Sequence, residues 1–157
     1  MKKQILGWAM LMAIAANLVP AEVSAVTLNQ QSHAYIVDSV AFPKNPRVNN
    51  ATHRVKLQVQ DRSLTQLQIE LPERVRVGTI QVTDREGRVI PANYAISDRQ
   101  ATISFAEPVV PHSHLRVDLQ NVATPHFSNT WFYPIHGQLE GLNGNIPLGT
   151  ARIQTYR

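Results

Sequence analysis

The sequence predicts an all-β fold: a single β-sandwich of immunoglobulin-like or related Greek-key order, preceded by an N-terminal signal peptide. Three observations carry this reading. Beyond the leader, no stretch keeps the i, i+3, i+4, i+7 apolar spacing of a helix over several turns. Apolar and polar residues instead alternate with period two in run after run, which gives strands with one wet face. Clusters of Gly, Pro, Asn and Asp separate these runs at intervals of roughly ten residues, the rhythm of a sandwich with about seven to nine strands. A closed barrel is the competing architecture.

The elements follow in chain order. Lys2 and Lys3 precede an apolar stretch from Ile5 to Val19, and the small residues Ala21, Ser24 and Ala25 come next. That order of charge, short apolar run and small residues marks a secretory leader, and the run is too short to read first as a membrane span. Cleavage is expected after Ala25, with a cut after Ala21 as the alternative. The expected division is a signal peptide at 1–25 and one secreted domain at 26–157 with no transmembrane segment, placed in the periplasm or outside the cell.

"AYIVDSVAF" opens the domain, and "FPKNPRVNNATH" is too rich in Pro and Asn for a central strand, so it reads as a connection from one sheet to the other. Val55, Leu57 and Val59 alternate with Arg54, Lys56, Gln58 and Gln60. The same rule holds for Leu67, Ile69 and Leu71, for Ile80 and Val82, for Ala101, Ile103 and Phe105, and for Leu115, Val117 and Leu119. "TWFYPIHG" and "TARIQTY" close the chain. Between them lie the turns "DREG", "SDRQ", "EPVVPHSH" and "GLNGN".

Composition narrows the function classes. The chain has no Cys, so neither a lipid anchor on Cys nor a disulfide is available to it. Without the leader, 13 Lys and Arg face 10 Asp and Glu, a thin and scattered excess of positive charge that argues against nucleic acid as a partner.

The segment "FAEPVVPHSHLRVDLQNVATP", then "TWFYPI", then "IPLGTARIQTY" resembles a family of secreted cyanobacterial proteins, domain-of-unknown-function family 2808. The likeness rests most on the closing Leu-Gly-x-Ala-Arg-Ile-x-x-Tyr block at Leu148, Gly149, Ala151, Arg152, Ile153 and Tyr156. It implies an exported sandwich, and it brings no activity and no site residues. This chain departs from the family pattern in the turn after Val110, where Pro111-His112-Ser113-His114 stands in place of Pro-Gly.

Candidate sites follow from residue type and spacing. His112 and His114, two apart, would share a side if the strand began at His112, and with His126 or His136 they would offer imidazoles to copper or zinc. The plainer reading is a pair of wet turn histidines, and no cofactor is otherwise called for. With no Met beyond position 12, a thioether copper(I) site is excluded in residues 26–157. Trp131 and Tyr133 share one face of their strand and would stack on a sugar ring if exposed, or fill the core if not. Arg152 and Tyr156 share a face of the last strand and form either a contact patch or, through Arg152, a tie to a neighbouring strand. Ser113 between two His lacks the Gly-x-Ser-x-Gly elbow, and no Asp-x-Glu pair or Lys-bearing phosphate loop occurs, so no enzyme is expected. The expectation is a non-catalytic binding or structural module of the periplasm or cell envelope, with a protein or polysaccharide partner. A metal carrier and a carbohydrate-binding module are the alternatives.

Overall fold

A computed structural model describes residues 33–157, and the leader expected at 1–25 lies outside them. Nine strands follow in order: β1 (Ala34–Phe42), β2 (Ala51–Val59), β3 (Leu64–Glu70), β4 (Thr79–Thr83), β5 (Ala92–Ser97), β6 (Gln100–Val109), β7 (His114–Val122), β8 (Asn129–Leu139) and β9 (Ile146–Thr155). They form two antiparallel sheets, β1-β2-β7-β4 and β5-β6-β3-β8-β9, packed as a sandwich. Among the described residues there is no helix, and so none long and apolar enough to cross a membrane.

Alternation drives this arrangement. On β2, Val55, Leu57 and Val59 turn inward while Arg54, Lys56 and Gln58 turn out, and Leu115, Val117 and Leu119 do the same on β7 opposite. Leu67, Ile69, Ile103, Tyr133, Ile135 and Ile153 close the core from the second sheet. Burying side chains of this kind is worth about 1.5–3 kcal/mol each, and a domain without disulfides depends on the sum.

Two departures from the sequence reading are physical. The Pro- and Asn-rich segment does not cross between sheets: it joins β1 to its hydrogen-bonded neighbour β2 in the same sheet. Asn45 makes the reversal, accepting from the Val48 N–H at its carbonyl (3.3 Å) and from the Arg47 N–H at Oδ1 (3.0 Å). The first crossing between the sheets falls instead between Val59 and Leu64. The second departure is β5, which no run of alternation announced. It is an edge strand with only Ala92 and Ile96 partly buried, so its two faces differ too little to print a pattern.

One side of the sandwich is closed by β1 against β9. Ser39 Oγ donates to the Arg152 carbonyl (2.9 Å) and accepts from the Arg152 N–H (3.2 Å), a side chain standing in for a ladder bond between sheets. On the other side the chain leaving β4 folds back, with the Ile90 N–H donating to the Val82 carbonyl (2.9 Å). That fold-back positions the loop Asp84–Pro91 at one end of the sandwich.

Candidate functional site

The loop after β4, the end of β6 and the turn into β7 enclose a groove of about 670 Å³. Ile90, Pro91, Val109 and Val110 give it apolar lining, and Arg85, Arg88, Glu86, Glu107, His112 and His114 line it with polar and charged groups of both signs. The loop is held by its own turn chemistry. Asp84 accepts from the Arg88 N–H (2.9 Å) and from Arg88 Nε (2.7 Å), and Gly87 supplies a φ of 85° that a side chain would resist. Desolvation pushes the Asp84 carboxyl up, but the backbone and side-chain bonds from Arg88 outweigh it and hold the group below the usual carboxylate range.

A smaller hollow of about 270 Å³ adjoins the groove on the outer face of the first sheet, sharing Asp84, Arg85 and His114 and adding Val37, Lys56 and Arg116. Register explains its charge. Lys56 on β2 pairs directly with Arg116 on β7, so two cations stand side by side where an opposite charge would stabilise the sheet. One step along, Arg54 faces Asp118 and grips it with two bonds, Nε to Oδ1 at 2.7 Å and Nη2 to Oδ2 at 2.9 Å. That side-chain bond is the chief cause that raises the Arg54 guanidinium above its usual range, against a smaller loss from burial. Lys56 reaches Asp38 at 3.1 Å. Arg116 makes no ion pair among the described residues, and its Nε is buried without a hydrogen-bond partner.

The sequence-predicted metal set does not assemble. His112 has a φ of 63° in the turn, outside the extended backbone that would put residues i and i+2 on the same side, and His114 opens β7 as an exposed residue. His126 lies beyond the far end of β7, so the strand separates it from His114 by roughly 26 Å. It pairs there with Asn49, Nε2 to Oδ1 at 3.0 Å. His136 stands on β8 in the other sheet, 3.9 Å from Glu70. Among the described residues no three His, Cys, Asp or Glu side chains gather as a metal site.

Of the two readings of Trp131 and Tyr133, the core one holds and the sugar platform does not, because they are 5% and 0% exposed. Trp131 Nε1 donates to Thr155 Oγ1 (3.0 Å), and the Tyr133 hydroxyl meets His53 Nδ1 at 2.6 Å. What faces out between them is Phe132, with the Arg152 guanidinium 5.8 Å from its ring centre. Arg152 and Tyr156 do share an exposed face, and they line a shallow hollow of about 360 Å³ with Ser39, Lys44 and Gln154. The tie between β9 and β1 runs through the Arg152 backbone rather than its side chain.

Sequence reasoning missed His53, Arg85, Arg116 and the Lys56–Arg116 pairing. His53 was legible in principle, since it continues the inward parity of Val55, Leu57 and Val59 by one step. Arg116 next to Lys56 was not, because only the register between β2 and β7 brings them together.

Comparisons with known proteins place this geometry. No curated protein matches the chain significantly in sequence. Similar in structure are the N-terminal domain of the Streptococcus gordonii adhesin Sgo0707 (10% identity, TM-score 0.53, 79% of this chain and 32% of that one) and BslA, a bacterial hydrophobin (11%, 0.54, 78% and 93%). A non-cellulosomal cohesin from the archaeon Archaeoglobus fulgidus is similar too (12%, 0.52, 79% and 91%). This chain thus spans about a third of the adhesin structure, and at such identities the likeness is one of fold. The sequence itself is matched over residues 26–154 by the model of a family described as "Protein of unknown function (DUF2808)", and the chain belongs to that family.

Proposed function

We propose that the protein is an exported, non-catalytic binding module that works in the periplasm or at the cell envelope, with the groove between the Asp84–Pro91 loop and the turn into β7 as its contact site. One observation carries the reading. The groove joins apolar residues to Arg, His and Glu side chains, the mixture of apolar contact and directed polar groups that binding sites use. Loops at the end of a rigid sandwich suit this role, because they vary without disturbing the core. A secretory leader and scattered charge are consistent with it. The partner is a protein or a polysaccharide of the envelope.

The test is retention of the purified protein on isolated envelope fractions at micromolar concentration. Val110 is 64% exposed on the groove, so Val110→Asp leaves the fold intact and is expected to weaken retention at least fivefold. Retention no greater than that of an unrelated sandwich domain would sink the proposal.

A further inference from the structure

We infer that the hollow beside the groove takes one acid group, the carboxylate of a uronic-acid sugar unit, between Arg116 and Arg85 with His114 at the edge. This names a ligand for the binding module proposed above and rests on that reading. The charges there decide the sign. Asp84 also lines the hollow, but its two oxygens are already engaged by the Arg88 N–H and Nε. Lys56 is drawn toward Asp38, at 3.1 Å. Arg85 and Arg116 are left with no acidic partner among the described residues, and the residue across the ladder from Arg116 is the cation Lys56. An anion placed here supplies the acidic partner that both guanidinium groups lack. A planar carboxylate matches the guanidinium fork.

The surroundings favour a sugar unit over an acidic peptide. The hollow lies on the face of the sheet, where the main-chain groups of β2 and β7 are committed to their ladder, so a peptide has no edge to extend. A hollow of about 270 Å³ has room for one ring-sized unit. Val37, 55% exposed on the rim, offers an apolar wall to the ring.

The experiment is a titration of the full-length protein, followed by amide chemical shifts, with galacturonic acid, galactose, inorganic phosphate and a Glu-containing dipeptide. Galacturonic acid is expected to shift the amides around Arg116 and Arg85, saturably and more weakly as salt rises, while galactose leaves them unmoved. Arg116→Gln and Arg85→Gln should each weaken binding at least fivefold, and Arg152→Gln, in the separate hollow beside β1, should leave it unchanged. Because Arg85 sits in a surface loop, its variant reports even if Arg116→Gln fails to fold. The inference falls if galactose, phosphate or the dipeptide binds as tightly as galacturonic acid, or if Arg85→Gln binds normally. Envelope retention that survives both Arg variants would remove the acid site and leave the module reading standing, whereas absent retention removes the module itself.

Discussion

His53 is the residue whose chemistry most constrains the fold. It lies fully buried on β2, meets Tyr133 from the opposite sheet at 2.6 Å, and has an Nε2 with no hydrogen-bond partner. Burial lowers its pKa from 6.5 to about 4 and pushes the Tyr133 hydroxyl up, so both groups are neutral across the physiological range. With the imidazole proton on Nε2, the Tyr133 O–H donates to Nδ1 and joins the two sheets. The unfolded chain takes up a proton near pH 6.5 and the folded chain only near 4, so between these values the unfolded state binds more protons. Stability is therefore complete above about pH 6.5 and falls as pH drops toward 4, by roughly 3 kcal/mol in all. Urea unfolding at pH 7 and pH 4.5 should show most of this loss, and His53→Leu should flatten that part of the profile. Tyr133→Phe leaves Nδ1 unpaired in the core and is expected to cost about 1–3 kcal/mol at pH 7. None of this was visible from residue type, since a histidine among polar neighbours reads as a surface group until its strand parity is followed.

At the scale of elements, register decides which pairs meet. Arg54 and Asp118 face each other across β2 and β7, and the Asp118 side chain is only 11% exposed in that clasp. Asp118→Asn keeps the shape and removes the charge, and the midpoint of urea unfolding should fall by an amount worth about 1–3 kcal/mol. Gly137 sits inward on β8, where an added Cβ would come within 2.8 Å of Leu148 Cδ1 and 2.9 Å of Leu64 Cδ1. Gly137→Ala must push these leucines apart, so calorimetry is expected to show a loss of about 1–3 kcal/mol, the usual cost of overpacking. Ser39→Ala cuts the two bonds between β1 and Arg152 and should open the seam locally, with faster amide exchange on β9 and a cost of about 1 kcal/mol. The strong alternations of β2, β3, β7 and β8 were legible in sequence because each has one face in the core and one in water. The edge strand β5 was not, for want of that contrast.

At the scale of the molecule, two stacked sheets hold together without a disulfide. Export remains an expectation from residues 1–25, and intact-mass measurement of protein recovered outside the cytoplasm should find a chain beginning at Val26, or at Glu22 if the cut falls after Ala21. Full-length mass in a cytosolic fraction would overturn it. The sequence by itself determined the all-β class, the positions of most strands and the inward destiny of every second side chain, because period-two burial is a local property of the chain. The pairing of strands distant in sequence was decided only in three dimensions. It parted His126 from His114 by the length of β7, and set Arg116 across from Lys56 beside the loop that carries Arg85. Those contacts depend on which strands become neighbours and in what register, and alternation repeats identically in every register that keeps the apolar face inward.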